Sequence, residues 1–420
     1  MFGRGDTMRI RDWDRNLRIR LIGESLVGVT FWMIFPFITI YFSGTFGREK
    51  TGVLLVISQL FSVIANLFGG YFADRFGRKT MMVFAACGQA LAFFLFALSN
   101  SPLFSSPLMS FICFALVGVC GSLYWPASQA MVADVVSEKD QSRVFAVFYT
   151  MNNIMVVIGP LLGGVFYPEH QFFLLLIAGT FCAIVAIVLF IYLDETAPMW
   201  RKTTGTWYMF FIEQLNNYRL IVKDRTFLLF IVAGILVAQT FMQLDILLPV
   251  YIKEVVSKQT LFSVGHWSLS LSGEKAFSVL IAENGLLVAL FTVAVTKWME
   301  HYKEKWVFVF SSLLYGIAIF LFGQTTSLWI MIILIAVFTL AELMTVGLQQ
   351  TFVAKLAPEH MRGQYFAAAS LRFTLGRMMA PLALTLPFAY HWTFFILMLL
   401  AVCSAWLYAV MFQMIEGKRA

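Results

Sequence analysis

The chain has 420 residues, of which 60% are hydrophobic and 13% charged, with a mean hydropathy of +0.81. Soluble globular proteins run to roughly half apolar and a quarter charged residues, so a water-soluble fold is excluded. The formal charge of +7 would suit a nucleic-acid partner, but the basic residues are scattered over short loops between apolar runs and report topology instead.

In chain order, apolar runs long enough for a hydrocarbon layer of roughly 30 Å predict an all-α membrane protein of twelve transmembrane helices. The first six lie at 21–42, 52–72, 81–98, 108–132, 144–166 and 172–193. The second six lie at 227–251, 277–295, 306–322, 328–352, 365–388 and 392–414. Between them, 194–225 is the one long polar connection, dividing the chain into six-helix halves at 1–193 and 226–420. Within it, 207–222 is apolar but interrupted by Glu213, Gln214, Asn216, Asn217 and Arg219. It reads as an interfacial amphipathic helix and not as a further span. The loop at 253–275 mixes polar residues with Phe262 and Trp267 and receives no chemistry.

An even number of spans puts both termini on one side. Lys and Arg then divide 23 to 5 in favour of that side, with Arg372 and Arg377 left inside a span. The positive-inside rule makes both termini cytoplasmic. The N-terminus carries charges up to Arg20 with no short apolar segment and cleavage site, so no removable signal peptide is expected. Cys87, Cys113, Cys120, Cys182 and Cys403 all lie in apolar runs without CxxC or Cys/His spacing, and neither disulfides, metal nor cofactor are expected.

The most specific local signal is Gly70-Tyr71-Phe72-Ala73-Asp74-Arg75-Phe76-Gly77-Arg78-Lys79, between the second and third spans. An acid at a helix end, glycines permitting a tight turn and basic residues held in the cytosol account for it physically. It resembles the G-x-x-x-D-R-x-G-R-K signature of the major facilitator superfamily. That resemblance implies a charge cluster latching two halves, with Asp74, Arg75 and Arg78 in the role. Asp134, near a cytoplasmic helix end, has either a conformational or proton-exit role or a simple interfacial position. A second element, Gly159-Pro160-Leu161-Leu162-Gly163-Gly164, resembles the core of the antiporter motif of drug:proton antiporters, although Met155 stands where the longer motif has glycine. Small residues here equally serve close helix packing.

The resemblance extends along nearly the whole chain to the LmrP type of multidrug/proton antiporter. It is carried by Asp14-Arg15-Asn16-Leu17, Asp74 to Lys79, Met131-Val132-Ala133-Asp134, Gln243-Leu244-Asp245, Leu248-Pro249-Val250 and Thr339-Leu340-Ala341-Glu342. Two departures leave the coupling route open. Phe148 stands where that transporter has an aspartate early in span five, and 116–133 lacks the usual membrane arginine of span four.

Ionisable side chains within the bilayer cost at least about 2.5 kcal/mol each and therefore need a reason. Glu342 lies ten residues from a span end, roughly 15 Å deep, and is the central candidate for proton coupling. A neutral acid bonded between helices is the alternative. Asp245, beside Pro249, and Glu283, followed by Asn284, are further proton-coupling candidates. Glu24 either faces inward or snorkels to the cytosol from its place one turn beyond Arg20. Arg372 and Arg377 point about 140° apart on a helix. One of them is a possible counter-ion for Glu342 or Glu283.

Asn152, Asn153, Met242 and Gln243, with Glu342 and Asp245, form the expected substrate set, and Gln239 is polar enough to join a cavity lining. Met and aromatic walls suit varied lipophilic ligands. No Walker A sequence is present, and the five histidines form no catalytic cluster. The expectation is a monomeric secondary transporter in a bacterial plasma membrane, not an enzyme, exporting amphiphilic or cationic drugs against protons. An importer or a lipid or sugar exporter of the same fold is the alternative.

Overall fold

The computed structural model describes residues 13–197, 224–264, 267–357 and 362–417. The helix expected at 207–222 lies outside the described residues. The helices are α1 (Arg15–Phe46), α2 (Arg48–Phe76), α3 (Arg78–Leu98), α4 (Pro107–Val135), α5 (Glu138–Tyr192), α6 (Arg225–Phe241), α7 (Leu247–Val255), α8 (Gly273–Met299), α9 (Glu304–Phe322), α10 (Leu328–Leu356), α11 (Arg362–Met379), α12 (Leu382–Thr385) and α13 (Tyr390–Gly417). Two antiparallel hairpins interrupt them, β1 (Asn100–Ser101) with β2 (Phe104–Ser105), and β3 (Lys258–Val264) with β4 (Trp267–Ser272).

Among the described residues ten helical stretches are long and apolar enough to cross a membrane, where the sequence predicts twelve spans. Two features account for the difference. Val144–Tyr192 is counted as one stretch of 49 residues, on the order of 70 Å if straight and more than twice the hydrocarbon thickness. It bends at His170, whose φ of −128° and ψ of 30° leave the helical region two residues after Pro168. Separately, α11 carries Arg362, Arg372 and Arg377 and is too polar to qualify by composition.

The described chain forms two compact units. The first comprises Met1–Ile34, Phe61–Met155 and Glu169–Thr204, and the second comprises Phe35–Leu60, Val156–Pro168 and Gly205–Ala420. Their cores are built differently. In the first unit, Ala73, Ala86, Ala127 and Ala186 let helices approach around Met81, Met82, Met131 and Leu189. In the second, aromatic rings fill the space: Phe230 meets Phe308 edge-on at 6.0 Å and Phe352 at 5.2 Å, with Tyr408 and Phe412 closing the cluster. Large apolar side chains such as Phe84, Leu91, Phe190 and Trp406 are exposed, the reverse of a soluble surface and suited to lipid.

The helix starts follow elementary capping. Asp224 accepts from Thr226 N at 3.1 Å and Phe227 N at 3.2 Å, closing the first turn of α6, and its other oxygen accepts from Tyr365 Oη at 3.0 Å. Such a cap is worth about 1 kcal/mol. The long hairpin is pinned to the start of α10, where Leu328 N donates to Gln259 Oε1 at 2.9 Å and Trp329 Nε1 to Leu261 O at 3.0 Å.

Candidate functional site

Glu342 projects from the middle of α10 and is partly buried. Asn284 of α8 donates to Glu342 Oε2 at 3.2 Å and to Thr339 Oγ1 at 2.9 Å, and Thr339 donates onward to Ile335 O at 2.7 Å. Thr339 is one helical turn before Glu342, so α10 presents both groups to the same residue of α8. Asn284 and Thr339 are themselves buried. The Glu342 carboxylate thus has an amide donor that is itself held by a second bond to the same helix.

Asp245 occupies a break in the helix. α6 ends at Phe241, Met242–Leu244 form a 3₁₀ turn, and α7 resumes at Leu247. Pro249 has no amide hydrogen, so the Asp245 carbonyl loses its helical donor. Asp245 is near enough to Arg377 and to Glu342 for each pair to interact electrostatically. Glu283, beside Asn284 on α8, has a buried Oε2 without a hydrogen-bond partner among the described residues.

The two arginines of α11 separate as their spacing requires. Arg377 is the one in range of an acid. Arg372, 4% exposed, pairs with no carboxylate among the described residues: its guanidinium lies 4.2 Å over the Phe230 ring and donates Nε to Ala369 O at 2.9 Å and Nη2 to Gln349 Oε1 at 3.4 Å. Neither arginine forms an ion pair with Glu342 or Glu283 among the described residues, and Arg377 acts electrostatically on Asp245. Arg372 rests instead on π-faces and neutral acceptors, which spread its charge without a salt bridge.

In the first unit a second polar cluster forms where α1 crosses α4. Glu24 Oε1 accepts from Arg20 Nε at 3.0 Å, Ser128 Oγ at 2.7 Å and Tyr124 Oη at 3.2 Å, while Arg20 also donates to Ser128. Arg20 is 1% exposed and stacks 4.9 Å from the Phe148 ring of α5. Glu24 is thus bonded to α4 as well as to Arg20 of its own helix. Sequence reading passed over Arg20 because it follows a run of N-terminal basic residues. The Arg20/Glu24 spacing of one turn and the polar Ser128 in an apolar span were the available signals.

The signature between α2 and α3 gathers on Arg78, which is buried and pairs with Asp74 and with Asp134 Oδ2 at 3.3 Å. Asp134 also accepts from Thr196 Oγ1 at 3.1 Å. Arg75 donates to Tyr71 Oη at 2.9 Å, and Lys79 lies 5.9 Å from the Phe190 ring. Glu195 accepts from Arg78 N at 2.8 Å at the start of α3. Gly77 has φ +100°, a conformation that favours glycine, and a β-carbon there would only displace the end of the Glu195 side chain. Gly70 meets only Pro126 at van der Waals range.

Of the antiporter-like element, Gly159, Pro160, Gly163 and Gly164 are all buried. A β-carbon on Gly164 would collide with Ser278 Oγ, so this position brings α5 against α8. The same unit contains Arg48, which donates to Leu386 O at 3.2 Å and Phe388 O at 2.8 Å and lies 4.5 Å from the Tyr390 ring. Of the expected substrate set, Met242 and Gln243 are buried in the second unit at the α6 break, whereas Asn152 is exposed and Asn153 bonds back to Tyr149 O at 3.1 Å within α5.

Comparison with known proteins follows this geometry. The sequence profile of the Major Facilitator Superfamily matches residues 21–381 and 266–419. A Na(+), Li(+), K(+)/H(+) antiporter of Planococcus maritimus is 53% identical over 419 residues, covering 98% of this chain and 99% of that protein. Multidrug resistance protein MdtH of Escherichia coli is 23% identical over 85% of this chain and 82% of its own length. Among solved structures, a POT family transporter in complex with a thioalcohol-conjugated peptide superposes with a TM-score of 0.76 at 15% identity, covering 96% of each chain, which speaks to the fold alone. The chain belongs to the Major Facilitator Superfamily and is one of its multi-pass secondary transporters.

Proposed function

We propose that this protein is a proton-coupled antiporter that moves monovalent metal cations out of the cell in exchange for protons, by alternating access. The observation that carries the reading is the conjunction of near-full-length 53% identity to a monovalent cation/proton antiporter with the partly buried Glu342, bonded to the buried Asn284–Thr339 pair and close enough to Asp245 to interact electrostatically. In this reading Glu342 carries the proton and Asp245 attracts the cation. Since one negative site cannot hold both charges cheaply, occupation by one favours departure of the other. Glu283 is a second proton carrier, and Arg377 restores neutrality at Asp245 when the site is empty.

The same reading has twelve crossings in two six-helix halves, both termini cytoplasmic, in a bacterial plasma membrane and active as a monomer. The basic-residue asymmetry and the His170 bend in α5 support it. Asp74, Arg75, Arg78, Lys79 and Asp134 act as the cytoplasmic latch. Export of amphiphilic drugs is a second reading, favoured by the MdtH relatives and by Met242 beside Asp245. The deciding experiment uses proteoliposomes of the purified protein with an imposed pH gradient. Movement of Na⁺, K⁺ or Li⁺ against the proton flux supports cation antiport. Movement of ethidium alone, with no metal cation flux, would assign the protein to drug export.

A further inference from the structure

Two helix breaks in the second unit face one another. α6 gives way at Met242–Leu244, and α11 ends at Met379 and restarts at Leu382 after Ala380 and Pro381. The prolines have the same effect in both places, because Pro249 deprives the Asp245 carbonyl of its helical donor and Pro381 deprives that of Arg377. Two glutamines on successive turns of α6 tie the breaks together. Gln239 Nε2 donates to Met379 O at 3.1 Å. Gln243 Nε2 donates to Ala380 O at 3.1 Å and to Gln239 O at 2.9 Å.

These bonds fix which way each amide points. Reversing Gln243 would set its oxygen against two carbonyl oxygens, and reversing Gln239 against one. The consequence is that Gln239 Oε1 and Gln243 Oε1 are both buried with no hydrogen-bond donor among the described residues. Gln243 is 0% exposed and Gln239 7%. A buried amide oxygen without a donor is costly, and two in adjacent turns are satisfied together only by donors or by a positive charge. Broken helices in transporters place backbone carbonyls in the membrane where they can bind cations. Asp245, at the α6 break, supplies negative charge nearby.

We infer that Gln239 Oε1 and Gln243 Oε1 are ligands of a dehydrated monovalent metal cation bound between the two helix breaks. This deepens the antiport reading and rests on it: the amide oxygens replace part of the hydration shell, while Asp245 and Glu342 govern charge. A neutral oxygen shell binds without competing for protons, so it supplies cation selectivity separately from proton coupling.

The test uses the full-length protein in proteoliposomes, with Na⁺ as the probe and choline as the control. Gln239→Met and Gln243→Met keep side-chain length and remove the amide oxygen. Each is expected to raise the Na⁺ concentration for half-maximal exchange by at least about tenfold while leaving the proton dependence in place. A folded variant with a shift under about twofold would overturn the inference, as it would if the oxygens hold only water. A second measurement avoids variants altogether. Wild-type protein with ¹³C in its glutamine side-chain carbonyls should show a Na⁺-specific shift of that infrared band, and a spectrum identical in Na⁺ and choline would refute the assignment. Wild-type vesicles that exchange no metal cation would instead sink the antiport reading itself.

Discussion

Asn284 Nδ2 reaches Glu342 Oε2 at 3.2 Å while also holding Thr339 Oγ1 at 2.9 Å, so one amide orients a proton-carrying candidate and ties it to the turn below. Hydrogen bonds to charged groups are worth about 1.5–3 kcal/mol. Asn284→Ala is therefore expected to lower exchange by roughly tenfold or more. Thr339→Val, combined with it, should give much less than the sum of the two losses, because Thr339 bears on Glu342 only through the Asn284 amide. Additive losses in a double-mutant cycle would mean that the contacts act independently.

The Arg20–Glu24 pair makes a stability prediction. Removing one partner of a buried pair leaves an uncompensated charge at a cost of about 3–5 kcal/mol. Because Arg20 is 1% exposed and Glu24 is its only carboxylate within salt-bridge distance among the described residues, Glu24→Gln should lower the melting temperature in detergent clearly. Replacing both, as Arg20→Met with Glu24→Gln, should recover most of the loss. Equal melting temperatures for wild type and Glu24→Gln would show that the pair contributes nothing.

At the α2–α3 turn, Arg78 holds both Asp74 and Asp134. Asp74→Asn leaves Asp134 in place, so the protein should fold while transport falls. Arg78→Ala leaves two acids facing each other without a cation and should destabilise by about 3 kcal/mol. Thermal melting alongside transport separates the two outcomes, and a reversed order of severity would contradict the contact pattern.

Topology yields to labelling. In a cysteine-free background, a single cysteine at Ser137 should react only from the cytoplasm and one at Gly47 only from outside. The reverse accessibility would overturn the orientation derived from basic residues.

Ten apolar stretches were legible because the lipid interior offers a helix no polar partner, so most of their length is apolar. Glu342 was legible because an acid at that depth stands out against such a run. Contacts between distant segments were less legible. Phe230 and Tyr408 under Arg372 are ordinary aromatic residues until folding brings them to α11. Phe148 reads as a lost aspartate, yet it lies beneath Arg20, which is bonded to Glu24. Pro249 signalled a disturbance in its span, but nothing local indicated that the break would fall at Met242–Leu244 and face a second break beyond Met379. The β3–β4 hairpin was read as a plain loop because its alternation is short and mixed with serine.

The most direct test of the account is Glu342→Gln, which keeps the size of the side chain and part of its hydrogen bonding but cannot titrate. In proteoliposomes with the membrane potential clamped, the wild-type protein should concentrate Na⁺ under a pH gradient alone. The purified variant should fold and still equilibrate or bind cation, yet fail to concentrate Na⁺ against its gradient. If Glu342→Gln still accumulates Na⁺ at the wild-type level under the pH gradient alone, the proton travels by another residue and the central claim is wrong.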